Sequence, residues 1–497
     1  MRSQVRRKFL EQSIAGLAAG SLLNANAQEA RPPAVIEAYT NRMSCQPGET
    51  LALHVSTDAT HYAIDIARIG ARREVVWSRA DLPGAKHATP AQASMRGCGW
   101  PVSVQVPIAR DWRSGIYSIR LRGQGGPAVP PNETFFIVRP AEGRNQAKIL
   151  FQVATNTYQA YNAWGGISLY SGPRSPRVSF DRPFAIFETP PRSGVDWHNP
   201  NTNCYHTWDE PFIAWAERAG YAIDYCANLD LEQHPDLLAR YKLVLSVGHD
   251  EYWSSGMRDG LERYVGNGGN AAFFSGNSVC WHTRVEDQGR ALVCYKRSHE
   301  MDPAWNADRR QLTTLWSDPI LRRPENSLTG VGFAYGGYNR FFGEFMQGEG
   351  AGEYTVYRPE HWVFAGTGLG RGERFGAASG IAGYECDGCE FDMVDGRPIP
   401  TGRDGTPRGF EILAVAPARW SRRDGSFDWA QALRRGLPAA ANAPENALER
   451  NGSAVVGLYT RGGTVITVGS TDWSAGLQGG DRVVDRIVRN ILDRLSV

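Results

Sequence analysis

From residue 148 onward the sequence alternates short apolar runs with amphipathic stretches, and this alternation limits the fold more than any other feature. Apolar runs of strand length predict strands, and apolar residues at helical spacing predict helices. The predicted strands are residues 148–153, 221–225, 242–245, 271–274 and 464–468, and the predicted helical stretches are residues 211–219, 235–240, 257–265 and 484–495. The pattern favours an α/β domain with a parallel sheet and helices on both faces.

The residues before this region are typical of an all-β domain. Runs of strand period occur at residues 51–55, 62–67, 102–106, 116–121 and 134–138, with Pro and Gly between them. Short strands at this spacing predict a sandwich resembling an immunoglobulin-like module. Because 497 residues exceed what one core usually holds, we divide the chain into 1–27, 28–145 and 146–497. Residues 300–460 are rich in loops and hard to place.

The first 27 residues have the features of an export signal. Arg6 and Arg7 form a twin-arginine pattern, an apolar stretch covers residues 13–23, and Ala25 and Ala27 offer a cleavage site before Gln28. The apolar stretch is shorter than the roughly 20 residues that a membrane-spanning helix needs. We therefore expect export by the twin-arginine route to the periplasm or beyond, and a mature protein without a membrane segment.

Composition excludes one class of partner and leaves the use of cysteine open. A formal net charge of +2 gives no electrostatic basis for binding nucleic acid. The 15 Trp residues are compatible with aromatic pockets and equally with filled β-rich cores. Eight cysteines in an exported chain permit disulfides, and proximity in sequence suggests Cys45 with Cys98 and Cys280 with Cys294. Cys386 and Cys389 form a lone CxxC, which predicts a disulfide better than a zinc site.

Polar turns follow four of the predicted strands. They are residues 248–251, 275–277, 469–473 and the stretch 155–170. In a parallel sheet the carboxyl ends of the strands share one edge, where ligands usually bind. Because an imidazole and carboxylates are costly to bury without partners, this concentration of polar groups predicts a functional site.

Other catalytic mechanisms have weaker support in the sequence. There is no G-x-S-x-G elbow, no phosphate-binding P-loop and no HExxH zinc motif. Cys226 and Cys280 are conceivable nucleophiles, although buried or bridged cysteines are far commoner.

Six motifs, in this order, resemble the large subunit of N,N-dimethylformamidase and its relatives: TNTYQAYNAWGGISLY, GHDEYW, FFSGN, VCYK, GYECDG and VGSTDW. The resemblance covers roughly residues 146–497. It implies an α/β fold similar to class I glutamine amidotransferases, without their cysteine nucleophile. It also leaves open a small partner subunit or a homo-oligomer.

The resemblance further implies a mononuclear ferric site. Tyr161 and Tyr170 would be phenolate ligands, Glu251 the carboxylate ligand and His249 a nearby base or orienting group, with Tyr158 as a competitor for Tyr161. Three more polar positions match less firmly: Asn277, Lys296 and Glu385. A phenol has a pKa of about 10, so ligation at neutral pH requires a strongly polarising cation, and ferric iron prefers such oxygen donors.

The predicted function is iron-dependent hydrolysis of a C–N bond in a small linear amide. Two alternatives stay open. The tyrosines can be buried aromatic residues whose hydroxyls bond to the backbone. The protein can also be an exported, non-catalytic module that binds envelope glycans or polymers in the same aromatic crevice.

Overall fold

The strand and helix bounds are taken from a computed structural model, which describes residues 34–141, 143, 147–171, 175–184, 205–341, 344–345, 350–420 and 452–497. The predicted export signal lies outside these residues, as does the predicted domain boundary at 145 and 146. Residues from Val35 to Val497 belong to one compact unit.

The strands in chain order are β1 (Ile36–Thr40), β2 (Ser44–Cys45), β3 (Thr50–Thr57), β4 (His61–Ile69), β5 (Arg73–Pro83), β6 (Val104–Pro107), β7 (Gly115–Gln124), β8 (Asn132–Val138), β9 (Ile149–Val153), β10 (Arg177–Ser179), β11 (Ile223–Ala227), β12 (Leu243–His249), β13 (Tyr252–Ser254), β14 (Asn270–Gly276), β15 (Trp281–Glu286), β16 (Ala291–Val293), β17 (Gly332–Gly337), β18 (Arg340–Phe341), β19 (Glu344–Phe345), β20 (Tyr354–Val356), β21 (Arg374–Phe375), β22 (Cys386–Gly388), β23 (Phe391–Val394), β24 (Arg397–Pro400), β25 (Glu411–Ala418), β26 (Gly452–Arg461) and β27 (Gly463–Thr467).

The α-helices are Ala93–Arg96, Thr155–Tyr161, Glu210–Arg218, Asn228–Gln233, Ser255–Gly266, Ala304–Ala307, Asn326–Thr329, Trp473–Gln478 and Arg482–Leu495. The 3-10 turns are Trp164–Gly166, Leu238–Arg240, Asp287–Gly289, Lys296–Met301, Arg309–Gln311 and Trp362–Phe364, and Tyr205–Asp209 is a π-helical turn. In the part of the chain that the structure describes, no helix combines the length and apolar character needed to cross a bilayer.

A nine-stranded sheet organises the second part of the chain, in the order β11-β9-β12-β14-β27-β26-β25-β20-β21. The first five strands are parallel. The last four run antiparallel to their neighbours. The predicted parallel sheet is thus observed for the first five strands, and the prediction did not include the four antiparallel strands that extend it. β26 and β27 are joined by a tight turn, which can connect only antiparallel strands.

Helices cover both faces of the parallel half, as predicted. Leu243 and Leu245 pack into one core together with the helices Glu210–Arg218 and Arg482–Leu495. Val244, the residue between them, packs into a second core with the helix Ser255–Gly266. Because side chains alternate along a strand, these two cores lie on opposite faces of the sheet.

The first part of the chain is β-rich, as predicted. It contains a three-stranded sheet in the order β1-β3-β6 and a five-stranded sheet in the order β2-β8-β7-β4-β5. Apolar residues from both sheets share one core, among them Leu53 and Val106 from the first and Ile66 and Phe136 from the second. The immunoglobulin-like class and the amidotransferase-like class stay predictions.

The predicted disulfides are wrong among the cysteines that the structure describes. Seven thiols are free and buried: Cys45, Cys98, Cys226, Cys280, Cys294, Cys386 and Cys389. Cys45 and Cys98 belong to different apolar clusters, so closeness in sequence did not bring them together. Cys386 lies in β22, with its Sγ directed at the Gly383 carbonyl 3.6 Å away.

Candidate active site

The carboxyl ends of four adjacent parallel strands build the site. β9 leads into the helix Thr155–Tyr161, which places Tyr161 at the sheet edge. β12 ends at His249, and the chain turns there so that Glu251 follows two residues later. His249 is paired in register with Gly276, so Asn277 lies beside it, one residue beyond β14. The predicted gathering of polar turns at one edge is observed.

Three oxygen-bearing side chains from separate segments meet at this edge. The Tyr170 hydroxyl lies 2.7 Å from the Tyr161 hydroxyl and 3.1 Å from each carboxylate oxygen of Glu251. The two phenol rings are stacked, with centroids 4.4 Å apart. Tyr170 exposes 41% of its surface, yet its hydroxyl points inward to these partners. We call Tyr161, Tyr170 and Glu251 the oxygen cluster.

His249 and Glu385 lie directly beside the oxygen cluster. His249 Nε2 is 3.4 Å from Glu251 Oε2 and 2.9 Å from Glu385 Oε2, and all three side chains are buried. Tyr338 donates to the other oxygen of Glu385 at 3.4 Å. An imidazole between two buried carboxylates can accept and return a proton, which is the usual work of a general acid and base.

Lys296 lies above the ring of Tyr170, with its ammonium nitrogen 3.1 Å from the ring centroid. It also faces Tyr252 and Trp281 at 5.4 and 5.2 Å. Burial lowers the pKa of Lys296 to about 8. The lysine therefore brings positive charge to a site that otherwise carries carboxylates.

Burial raises the pKa values of the Tyr161 and Tyr170 phenols well above their usual range, and the nearby Glu251 carboxylate adds to both shifts. Burial also raises the pKa of Glu251, while His249 opposes that shift. These side chains alone thus favour protonated phenols. A cation held by the two phenols and Glu251 would favour the phenolate forms.

The donor set fits a hard trivalent cation. All members of the oxygen cluster offer oxygen atoms, and such donors suit ferric iron better than soft metals. Among the described residues, no group of three or more His, Cys, Asp or Glu side chains is placed to hold a metal ion. A metal at this edge would therefore depend on the two phenols as well as on Glu251.

The structure distinguishes Tyr161 from its competitor Tyr158. The Tyr158 hydroxyl bonds to the Asp209 carboxylate inside the core, whereas Tyr161, one helical turn later, reaches the oxygen cluster. The two candidate nucleophiles, Cys226 and Cys280, are fully buried, and burial raises both thiol pKa values well above their usual range. A protonated, buried thiol is a poor nucleophile.

The turn at residues 469–473 has a supporting role. The Thr471 amide donates to the Glu385 carbonyl at 3.1 Å, and the Thr471 hydroxyl accepts from the Glu385 amide at 3.3 Å. Asp472 accepts from Trp208 Nε1 at 2.8 Å and pairs with Arg340. This turn fixes the backbone of Glu385.

Asn277 is buried at the same edge, in a left-handed backbone conformation with φ +49°. Its side-chain oxygen makes no hydrogen bond to any other described residue. A buried amide that keeps hydrogen-bonding capacity is suited to meet a ligand.

Three contacting residues were missed from the sequence. Trp281 donates its indole N–H to Glu251 Oε1 at 2.7 Å, Tyr252 donates to the Tyr170 hydroxyl at 2.8 Å, and Tyr338 bonds to Glu385. Tyr252 stands inside the GHDEYW motif, which was a usable signal. Tyr338 comes from the loop-rich region, where no motif pointed to it.

The family described as N,N-dimethylformamidase beta subunit-like, C-terminal, matches residues 63–486. The chain belongs to this family. The match begins inside β4, so it includes most of the β-rich region as well as the large sheet.

Two curated relatives are named N,N-dimethylformamidase beta subunit, one from Paracoccus aminophilus and one from Alcaligenes sp.. Each is 24% identical to this chain, over 354 and 353 residues, and each alignment covers 61% of this chain and 44% of the relative. The chain thus spans less than half the length of these relatives. A solved family 123 glycoside hydrolase from Clostridium perfringens aligns over 55% of this chain and 53% of its own, at 9% identity and a TM-score of 0.12, a likeness too weak to carry an argument.

Proposed function

We propose that this protein hydrolyses the C–N bond of a small linear amide with the help of one ferric ion held by Tyr161, Tyr170 and Glu251. The observation that carries the proposal is that the Tyr161 hydroxyl and both Glu251 carboxylate oxygens lie within 3.1 Å of the Tyr170 hydroxyl. The names of the curated relatives support the reaction class.

Bound iron would act as a Lewis acid that activates water and polarises the amide carbonyl. The chain's own residues supply the rest. Hydrolysis forms a C–O bond from water, breaks the C–N bond and delivers a proton to the departing amine. His249, between Glu251 and Glu385, is placed to move that proton. The Asn277 amide and the Lys296 ammonium are suited to stabilise the negative charge that develops on the carbonyl oxygen.

The cellular setting belongs to the same proposal. The twin-arginine pattern supports export to the periplasm or beyond, after which the substrate would be an extracellular small amide. The relatives are named as subunits, which supports a partner subunit or a homo-oligomer for this chain as well.

Elemental analysis and a visible spectrum of the protein as isolated test the metal site. We expect one iron per chain and a phenolate-to-iron absorption band. Tyr161→Phe and Tyr170→Phe should shift or remove the band, and Glu251→Gln should lower the iron content. Tyr158→Phe is the matched control, since Tyr158 lies on the same helix but bonds to Asp209. It should keep both iron and band.

Turnover of a panel of linear amides then tests the reaction. We expect hydrolysis that is lost in His249→Gln, with iron retained. A colourless, metal-free protein that binds glycans would contradict the proposal and favour the binding module. Stoichiometric iron without turnover of any amide would contradict the reaction and leave the metal site standing.

A further inference from the structure

Residues 162–169 join the two phenols of the oxygen cluster, and we call them the linking segment. The segment contains the 3-10 turn Trp164–Gly166, in which Gly165 has φ +78°. Its internal hydrogen bonds include Gly166 N–H to the Ala163 carbonyl at 2.9 Å. Because Tyr161 and Tyr170 stand at its two ends, the shape of this segment sets the separation of their hydroxyls.

One buried guanidinium holds the linking segment from inside the protein. Arg182 is fully buried, and its two terminal nitrogens donate to the carbonyls of Trp164, Ile167 and Asn162 at 2.8, 2.7 and 2.9 Å. Its Nε donates to the Ser179 carbonyl at 3.1 Å. A buried charge is retained only where such bonds offset its desolvation.

The β-rich region holds the same segment from the other side. Ser94 donates its hydroxyl to the Gly165 carbonyl at 2.7 Å. The indole N–H of Trp164 donates to Glu37 Oε1 at 2.9 Å, and the Trp164 ring packs edge-on against Trp100 with centroids 5.9 Å apart. The fit is close, since a Cβ added at Gly165 would lie 2.6 Å from the Ser94 hydroxyl.

We infer that the β-rich region is a working part of the active site, in which Glu37, Ser94 and Trp100 act as positioning residues for Tyr161 and Tyr170 through the linking segment. The inference rests on the proposed function for its consequence and on the contacts above for its geometry. If the β-rich region only bound a separate ligand, it would not need polar contacts to the linking segment between the two phenols.

Hydrogen–deuterium exchange on the chelator-treated, metal-free protein tests the geometry without any reference to catalysis. We expect Ser94→Ala and Glu37→Met to raise the exchange rate of residues 162–169 about fivefold each, as loss of one hydrogen bond predicts. Exchange in the central strands β12 and β14 should stay unchanged. Ser78→Ala and Glu74→Met are matched controls in the same region, since their side chains bond to Asp65 and Arg113 and leave the linking segment untouched.

The second measurement tests positioning in the iron-loaded protein. Ser94→Ala and Glu37→Met should shift the phenolate band and lower kcat with little change in KM, whereas the two controls should change neither. Gly165→Ala should produce the larger shift, because the added carbon pushes against Ser94.

The outcomes separate this inference from the proposed function. Unchanged exchange in both variants would overturn the inference, whatever the metal content. A loosened segment with an unshifted band in an iron-containing protein would also overturn it. A loosened segment in a protein that never binds iron would sustain the contact between the two regions and refute the proposed function instead.

Discussion

At the scale of single residues, Glu251 is held by contacts with four other residues of the site region. Its carboxylate accepts from the indole of Trp281, lies beside His249 and faces the Tyr170 hydroxyl, while its amide donates to the Thr157 hydroxyl at 2.9 Å. A buried carboxylate needs such partners to offset lost hydration. Here the same partners also fix the direction in which its oxygens point.

Trp281→Phe should weaken metal binding while it preserves the aromatic packing. The substitution removes the only indole donor to Glu251 among the described residues. Loss of a hydrogen bond that orients a metal ligand typically costs about 10- to 100-fold in metal affinity. Competition with a coloured chelator measures the change, and Trp305→Phe is the control, since the half-buried Trp305 ring packs against His299 and Arg309. Equal affinities in the two variants would refute an orienting role for Trp281.

His282 should make the protein sensitive to acid. The ring is fully buried, bonds to the Leu312 carbonyl at 2.7 Å and to the Ser255 hydroxyl at 2.9 Å, and lies against Trp316. Burial lowers its pKa to about 4. A lowered histidine pKa favours the folded state above the unfolded pKa of about 6.5 and loses that contribution as the pH falls towards 4.

The free energy of unfolding should therefore fall by up to about 3 kcal/mol between pH 6.5 and pH 4 because of this one group. Urea titrations across that range measure how steeply the free energy of unfolding changes with pH. His282→Asn should reduce this pH dependence, although that variant is less stable at pH 7. His61→Asn, at an exposed histidine, should leave the slope as it is. If the free energy of unfolding depended on pH equally in the wild type and in His282→Asn, His282 would be excluded as the cause of the acid sensitivity.

At the scale of elements, the end of β12 shows how a strand delivers side chains to the site. Gly248 lies inside β12, paired with Ser275, and has φ +72°, a left-handed conformation that glycine adopts without strain, one residue before β12 ends at His249. The Trp208 side chain lies against this glycine, and the Trp208 ring packs edge-on against His249.

Gly248→Ala should destabilise the protein and disturb His249 together. The new Cβ would lie 2.5 Å from Trp208 Cβ, and the positive φ is unfavourable for alanine, so we expect a loss of more than about 1 kcal/mol. Gly266→Ala is the control, since that glycine ends a helix, has open space around it and has an ordinary φ. Urea unfolding compares the two. If the Gly248→Ala protein were as stable as the Gly266→Ala protein, neither the positive φ of Gly248 nor its closeness to Trp208 would constrain the end of β12.

Much of this element-scale structure could be predicted from the sequence. The helix Arg482–Leu495 buries Val484, Ile487, Val488, Ile491 and Leu495, which are the residues whose spacing predicted it. The strand bounds were correct to within two residues for β14 and β27, whereas β12 continues four residues beyond its predicted end, to His249. Residues 300–460 resisted prediction because their strands are short and their partners are far away in sequence, as in the pairing of β25 with β26.

At the scale of the whole molecule, the described cysteines are buried as free thiols in apolar surroundings. All seven are buried, and no described pair is bridged. Burial raises the thiol pKa values, for example that of Cys294 to about 12. Such thiols react slowly because the thiolate is the reactive form.

We therefore expect reductant to leave the melting temperature unchanged and an aromatic disulfide reagent to label none of these seven thiols in the native protein. After unfolding in guanidinium, the reagent should label all seven thiols. Peptide mapping identifies the sites and treats Cys204 separately. A melting temperature that falls by several degrees on reduction would reveal a structural disulfide and contradict the free thiols.

The sequence by itself determined the local features: which runs form strands and helices, and which polar turns follow them. These depend on periodicity and on residues a few positions apart. Only the tertiary structure decided that four of the nine strands in the large sheet are antiparallel, that Tyr161 and not Tyr158 meets the Tyr170 hydroxyl, and that Lys296 lies over Tyr170. The physical reason is that hydroxyl direction and distance depend on how separate segments pack, and packing is settled by contacts between residues that lie tens to hundreds of positions apart.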